Sequence, residues 1–204
     1  MRKPAERYFD SLRQMLGQVR VTRLSGRSLP FLDGLATVAD HLRDRCAAGR
    51  KILFIGNGAN AGICSHMATD WWKHGRMRAM AFNDPAGLTC IANDCGVEQI
   101  FAKPVEMFAD PEDVLVAMSS SGKSSNILRA VKTARLRRAG VVTLSGFDAK
   151  NPLATLGDFN FYVPWSGYEI VEIVHHSILH CMLDIIVTSR AAKGAPKPKR
   201  SRKP

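Results

Sequence analysis

The stretch from Asp113 to Ala130, DVLVAMSSSGKSSNILRA, limits what this chain can fold into more than any other. Val114 to Met118 is a short unbroken apolar run, which suits a strand covered on both faces in a parallel sheet. It runs directly into Ser119, Ser120, Ser121, Gly122, Lys123, Ser124, Ser125 and Asn126. Beyond these, Ile127, Leu128, Ala130, Val131 and Ala134 recur at helical spacing. A strand, a hydroxyl-rich loop and a helix start make an anion site by construction. The first N–H groups of the helix lack partners, and its dipole favours negative charge there. Serine hydroxyls donate to phosphate oxygens, and Gly122 lets the backbone come close. The same residues also fit a serine-rich helix cap and turn. The glycine spacing of a nucleotide-binding P-loop is missing, so no nucleotide cofactor is expected.

The rest of the chain supplies a sheet for this strand. Tyr8, Phe9, Leu12, Met15, Leu16 and Val19 mark one amphipathic helix, and Phe31 to Leu42 a second. VTRLSGRSLP between them reads as a break. The two helices can pack on a partner subunit or on their own sheet. From Lys51 strands and helices alternate: KILFIG, a helix over 61–73, a strand over 79–83 and helical segments over 85–92 and 97–108. The central strand follows, then strands at 141–145 and 159–163 and a long helix over 168–189. The pattern predicts an α/β fold, a doubly wound five-stranded parallel sheet. Residues 1–49 form the N-terminal helices, 50–190 the binding domain and 191–204 a disordered basic tail. In such sheets ligands sit beyond the carboxyl ends of the strands, where the loops at 56–60 and 119–126 would meet.

Hydrophobic content of 46% and charged content of 23% describe a globular domain of ordinary size. The net charge of +11 is uneven, because Lys193, Lys197, Lys199, Arg200, Arg202 and Lys203 carry six of those charges. The tail favours solubility, with weak polyanion contact as its most specific role and nucleic acid not expected as a partner. No apolar run reaches the roughly 20 residues of a membrane span, and MRKPAERYFDSLRQ has no apolar signal core. Five scattered cysteines (Cys46, Cys64, Cys90, Cys95 and Cys181) without a CxxC pair point to reduced thiols and a cytoplasmic protein.

Two helices carry groups suited to chemistry. His66 and Asp70 lie four apart on the first, and Glu172, His176 and His180 at fourfold spacing on the last, with His175 offset to the side. A His/Asp/Glu/His set is competent for general acid–base work or for a divalent transition metal. Each helix taken alone also reads as ordinary acid–imidazole pairing. Trp71 and Trp72 fit core or interface better than a sugar-stacking platform.

The runs GNGANAGICSHMATDWWKHG, AFNDPAGLTCIANDCG, VAMSSSGKSSNILRAVKTARLRRAGVVTLSGFD and YEIVEIVHHSILHCMLDII together resemble the sugar isomerase (SIS) family, in its phosphoheptose isomerase branch. The resemblance covers about residues 30 to 190 and implies a flavodoxin-like fold, a homotetramer and no membrane association. It implies that Ser119, Ser120, Ser121 and Ser124 hold a sugar phosphate and that Asn57, Gly58, Asn60 and Asp94 border the sugar. It implies Asp70, Glu172 and His180 as catalytic residues, and His66, Asp70, Glu172 and His180 as zinc ligands in metal-containing members. His175 matches another family histidine. Asp70 stands where the family carries glutamate, Glu172 where it carries glutamine, and Lys123 where it carries asparagine. Ala59 and Asn60 replace Gly-Ser. The implied activity is ketose–aldose isomerisation of a phosphorylated sugar such as sedoheptulose 7-phosphate. The rival is a non-catalytic sugar-phosphate-binding module of the replication-initiator-associating type.

Overall fold

The computed structural model describes residues 2–192. The seven strands are β1 (Arg20–Arg23), β2 (Ser28–Leu29), β3 (Ile52–Gly56), β4 (Ala79–Ala81), β5 (Val114–Ser119), β6 (Gly140–Ser145) and β7 (Phe159–Tyr162). They form one sheet in the order β2-β1-β7-β6-β5-β3-β4. The five expected strands, β3 to β7, are all present and all parallel. β3 and β5 are buried at every residue, which is why both read as continuous apolar runs rather than alternating ones. The chain goes from β3 out to β4 and returns to β5 on the other side of β3. That reversal puts the ends of β3 and β5 side by side at the switch point where open α/β sheets take ligands.

The segment read as a break is instead a hairpin. β1 pairs antiparallel with β2 and with β7, extending the sheet by two strands. Its pieces are four and two residues long and rich in Arg, Ser and Thr, so they carry no period-2 apolar signal; Val21 alone in them is buried. Helix α2 (Phe31–Ala47) lies close over it: a Cβ on Gly34 would come within 2.8 Å of Val21.

The other helices are α1 (Arg2–Leu16), α3 (Ala59–Lys73), α4 (Pro85–Cys95), α5 (Ala102–Phe108), α6 (Ser125–Leu136) and α7 (Tyr168–Ala192). The segment 97–108, read as helical, divides into a 3-10 turn at Val97–Gln99 and α5. α1, α2, α3 and α7 share one apolar layer with the sheet, including Met15, Leu35, Val38, Leu42, Met67, Trp71, Val174 and Met182. α5 and α6 cover the other face with Phe101, Val105, Ile127 and Val131. The N-terminal helices therefore pack on their own chain. α7 is long and apolar enough to cross a membrane by length and composition, and half of its apolar window is buried in this core. It continues two residues past 190; the remainder of the basic tail, 193–204, lies outside the described residues.

The end of the sheet away from the site is held by a buried charge. The Asp113 carboxylate, 1% exposed, accepts the backbone N–H groups of Lys51 and Asp110 at 2.8 and 2.7 Å and faces Lys51 Nζ at 2.5 Å. This sets the start of β5 against that of β3. Removing one partner of such a pair leaves the other charge uncompensated. Asp113→Ala should lower unfolding free energy by about 3–5 kcal/mol, read from urea titration followed by circular dichroism.

Candidate functional site

The serine loop leaves β5 at Ser119 and turns at Gly122, whose φ is +63°. Gly122 N–H donates to the Ser119 carbonyl at 3.0 Å and lies 3.2 Å from Ser119 Oγ. A Cβ here would meet Asn151 Oδ1 at 1.9 Å, so this position requires glycine twice over. Ser124 is the N-cap residue of α6, yet its hydroxyl makes no capping bond and faces Ser119 Oγ at 3.2 Å. A serine-rich cap would spend that hydroxyl on a helix N–H. With the hydroxyls turned into the loop, the α6 N-terminus keeps its anion-binding character. Lys123 stands exposed above the loop, and Asp148 lies 3.8 Å from its Nζ, so part of its charge is answered within the chain.

The loop after β3 meets the serine loop. Asn57 Nδ2 donates to Asn126 Oδ1 at 3.0 Å, and Asn126 Nδ2 donates to Asn57 Oδ1 at 2.8 Å. Below them the buried Asn60, in the first turn of α3, contacts Ser120 Oγ through Nδ2 at 3.2 Å. Its Oδ1 lies 3.3 Å from Nδ1 of the fully buried His175 on α7, whose Nε2 is 3.3 Å from the Ser145 carbonyl. A carbonyl can only accept, so the His175 proton sits on Nε2 and Nδ1 must accept. Exchanging O and N of the Asn60 amide, which leaves its shape unchanged, satisfies all three groups: NH2 to His175, the Ser120 hydroxyl to the amide oxygen.

About 9 Å further along α3, six residues at 1.5 Å rise each, lies the second half of the site. His66 of α3 stacks edge-on against His176 and His180 of α7, with ring centroids 5.3 and 5.4 Å apart. His176 and His180 are themselves 4.5 Å apart. One nitrogen from each of the three rings falls within 4.8 Å of the others. Asp70 Oδ2 lies 3.3 Å from His66 Nε2, and Oδ1 lies 3.7 Å from His74 Nε2. Burial, and then repulsion from Glu169, raises the Glu172 carboxyl above its ordinary value. Burial pushes His176 down, and His180 and His66 beside it act in the same direction.

The structure thus joins Asn57, Asn60, Ser119, Ser120 and Ser124 in one loop pair, with Gly58 capping α3 between them and Ser121 Oγ accepting the Lys123 N–H at 3.2 Å. It brings His66, Asp70 and His180 together a few turns away. Asp94 stands apart: it is exposed on α4, and its partners, Asn93 and Cys90, are local. Glu172 is one turn from His176 but outside the group of metal-competent atoms, in which His176 takes a place instead. Two residues named in the sequence reading were given no role in the site there. Asn126 closes the serine loop motif and carried that signal; His176 has fourfold spacing to both Glu172 and His180, which did not distinguish it.

The SIS domain family model matches residues 7–146, and this chain belongs to that family. Among its relatives are the phosphoheptose isomerases of Sodalis glossinidius, 33% identical over 80% of this chain and 87% of that one, and of Cytophaga hutchinsonii, 34% identical over 77% and 85%. The solved structure of phosphoheptose isomerase GmhA from Neisseria gonorrhoeae superposes with a TM-score of 0.78 at 28% identity, covering 92% of this chain and 98% of the other. The phosphoheptose isomerase from Francisella tularensis gives 0.79 at 28% identity, covering 91% and 97%. Within the SIS domain family, the phosphoheptose isomerase branch is where this chain falls.

His175 gives this site a pH signature. Burial lowers its folded value from 6.5 to about 4, so as pH falls the unfolded chain takes up that proton first. The stabilisation from holding the ring neutral is complete above about pH 6.5 and is lost between there and about pH 4, amounting to about 3 kcal/mol. His175→Asn should flatten this part of the stability–pH profile, measured by urea unfolding across that range; an unchanged slope would remove His175 as its source.

Proposed function

We propose that this chain is an isomerase of a phosphorylated sugar, most simply one that interconverts sedoheptulose 7-phosphate and a heptose 7-phosphate. The observation that carries the reading is the joining of an anion site, at the α6 N-terminus, through Asn60 to a carboxylate–imidazole group about 9 Å further along α3. The serine loop grips the phosphate, with Ser119, Ser120, Ser121, Ser124 and the first α6 N–H groups around its oxygens. The open chain runs past Asn57, Gly58 and Asn60 toward the histidines; Asp94, which the resemblance sets beside the sugar, stands apart from this path on α4. A carboxylate, Asp70 or Glu172, takes the proton from the carbon beside the carbonyl to give an enediol, and His180 moves protons between its oxygens. Burial raises the Glu172 carboxyl above its ordinary value, the direction that makes a carboxylate a stronger base.

The resemblance implies zinc, and the residues present fit a divalent ion. The buried His176 Nε2 has no hydrogen-bond partner, and His66 and His180 converge beside it. Bound there, such an ion supplies a Lewis acid for the sugar oxygens. His66, Asp70, Glu172 and His180 are the ligands carried over by the resemblance. Nothing in the site favours a purely regulatory module, since the acid and imidazole groups of both helices are retained and face one another.

The family resemblance supports a homotetramer, and apolar side chains left exposed on α1, α3 and α7 (Phe9, Trp72, Tyr168 and Ile173) offer surface for it. Light scattering at micromolar concentration should give four chains; a monomer would count against this assembly. The free cysteines, Cys46, Cys64, Cys90, Cys95 and Cys181, suit the cytoplasm. The domain limits proposed are N-terminal helices to residue 49 and the binding domain to 190.

The chemistry is tested by substrate exchange in heavy water. Asp70→Asn keeps the size of the side chain but removes its basicity, so deuterium incorporation at the substrate carbon should collapse while binding persists. Full exchange in that variant would move the base role to Glu172. Replacing Ser121 and Ser124 together by alanine should weaken sugar-phosphate binding by about 1–3 kcal/mol in calorimetry. Unaltered affinity would place the phosphate elsewhere.

A further inference from the structure

Beyond β5 the sheet changes character on the face away from α2 and α7. Val142, Leu144, Phe159, Phe161 and Val21 join the apolar layer shared with those helices. The residues that alternate with them point the other way, and they are polar. Thr143, Asn160, Thr22 and Ser28 stand opposite one another across β6, β7, β1 and β2, and Ser145, Tyr162 and Arg20 make a second row beside them. Thr143, Ser145 and Asn160 are buried, Asn160 at 2% exposure. No residue of β1, β2 or β7 joins the apolar layer under α5 and α6. A groove of about 400 Å3 opens here instead, with Arg20, Thr22, Ser28, Asn160 and Tyr162 on its strand side and Ala149 and Ala154 on the side of the loop after β6.

Two groups in this groove have unspent hydrogen-bonding capacity. Asn160 Oδ1 accepts from the Thr143 and Ser145 hydroxyls at 2.9 and 3.1 Å, both on β6. Its NH2, on the other side of the amide carbon, is turned away from β6 and donates to nothing among the described residues. A buried donor is rarely left so. Arg20 makes no ion pair among the described residues, whereas Arg45, Arg50 and Arg135 are each paired with a carboxylate. Residues 18–29 carry three arginines and no acid. Asp148, the acid of the adjoining loop, lies 3.8 Å from Lys123 Nζ. We infer that this groove binds a small hydroxylated anion, a ligand with one carboxylate or phosphate group and several hydroxyls. The Arg20 guanidinium takes the charged group, and the Asn160 amide with the Thr22 and Ser28 hydroxyls takes the ligand's hydroxyls.

The loop over 146–156 is shared between this groove and the serine loop. The Tyr162 hydroxyl donates to the Phe147 carbonyl at 2.8 Å. The buried Asn151 packs directly against Gly122, and the Leu153 N–H donates to the Gly122 carbonyl at 3.2 Å. Ala154, whose N–H donates to Asn151 Oδ1 at 3.0 Å, lines the groove. A ligand seated against Ala149 and Ala154 therefore touches the loop that holds the turn of the serine loop. It acts on that turn from outside the phosphate site, which makes the groove regulatory. The inference stands on the groove's own residues and does not depend on the isomerase reading.

Amide NMR on the full chain, titrated with D-gluconate, with glycerol 3-phosphate and with neutral sorbitol, tests the inference. At least one anion should shift the Asn160 side-chain amide and the backbone signals of residues 20–22 and 28–29, while sorbitol leaves them in place. Which anion binds tells a carboxylate ligand from a phosphate one. Arg20→Ala, a change at an exposed position, should weaken that binding by about 10-fold or more, the loss of a charge-assisted hydrogen bond. The Gly122 amide should move in step with Asn160 and be weakened equally by Arg20→Ala. Shifts confined to residues 119–126 and unaltered in Arg20→Ala would place the anion on the serine loop and overturn this site. Silence from both anions would overturn it too, whether the groove stays empty or another copy of the chain fills it. Binding with an unmoved Gly122 signal would overturn the regulatory role. Because no readout uses turnover, failure here and failure of the isomerase reading are told apart.

Discussion

The reciprocal amide pair of Asn57 and Asn126 is the contact on which the site depends. Each side chain supplies one donor and one acceptor to the other, at 3.0 and 2.8 Å, so neither can be replaced without leaving its partner unanswered. The pair spans the gap between the loop after β3 and the loop after β5. Without it the two loops share a sheet edge but not a fixed separation. With it, the α6 N-terminus and the start of α3 become one surface. The buried Asn60–Ser120 contact repeats the stitch one layer deeper and passes it to α7 through His175.

The parallel core was legible because burial on both faces writes itself into composition. Ile52 to Gly56 and Val114 to Met118 contain no polar side chain, as suits strands covered on both faces. The hairpin of Arg20–Arg23 and Ser28–Leu29 was not legible for the converse reason. It lies at an edge, buries only Val21, and owes its place to backbone pairing with β7 and to the close approach of Gly34 on α2. Those are tertiary facts. Asp113 is similar: an acid before a strand looks like a solvated end, and only the fold reveals it as buried against Lys51.

The site divided along the same line. The serine loop announced itself because strand, hydroxyls and helix start follow one another in sequence. Asn126 was within that run but had no visible role until the loop after β3 was set opposite it. On α3 and α7 the spacings correctly marked faces, His66 with Asp70 and His176 with His180, but spacing alone does not say which faces meet. It gave no reason to separate Glu172 from His176, two residues one turn apart on one helix.

The neighbours His175 and His176 show what decides such cases. Successive residues of a helix point about 100° apart, so adjacent histidines cannot face one partner. His175 points into the layer between α7 and the sheet, where the Ser145 carbonyl and Asn60 fix its proton and burial keeps it neutral near pH 7. His176 turns toward α3, where the facing groups are two more imidazoles. One ring is therefore part of the scaffold that positions Asn60 and, through it, the serine loop. The other is left with a buried nitrogen that has no hydrogen-bond partner among the described residues. The rotation that sets them apart is fixed by the apolar residues around them, Val171, Val174, Ile178 and Met182, whose packing against the sheet sets the roll of α7. The chemistry of the site thus follows from the packing of a core helix.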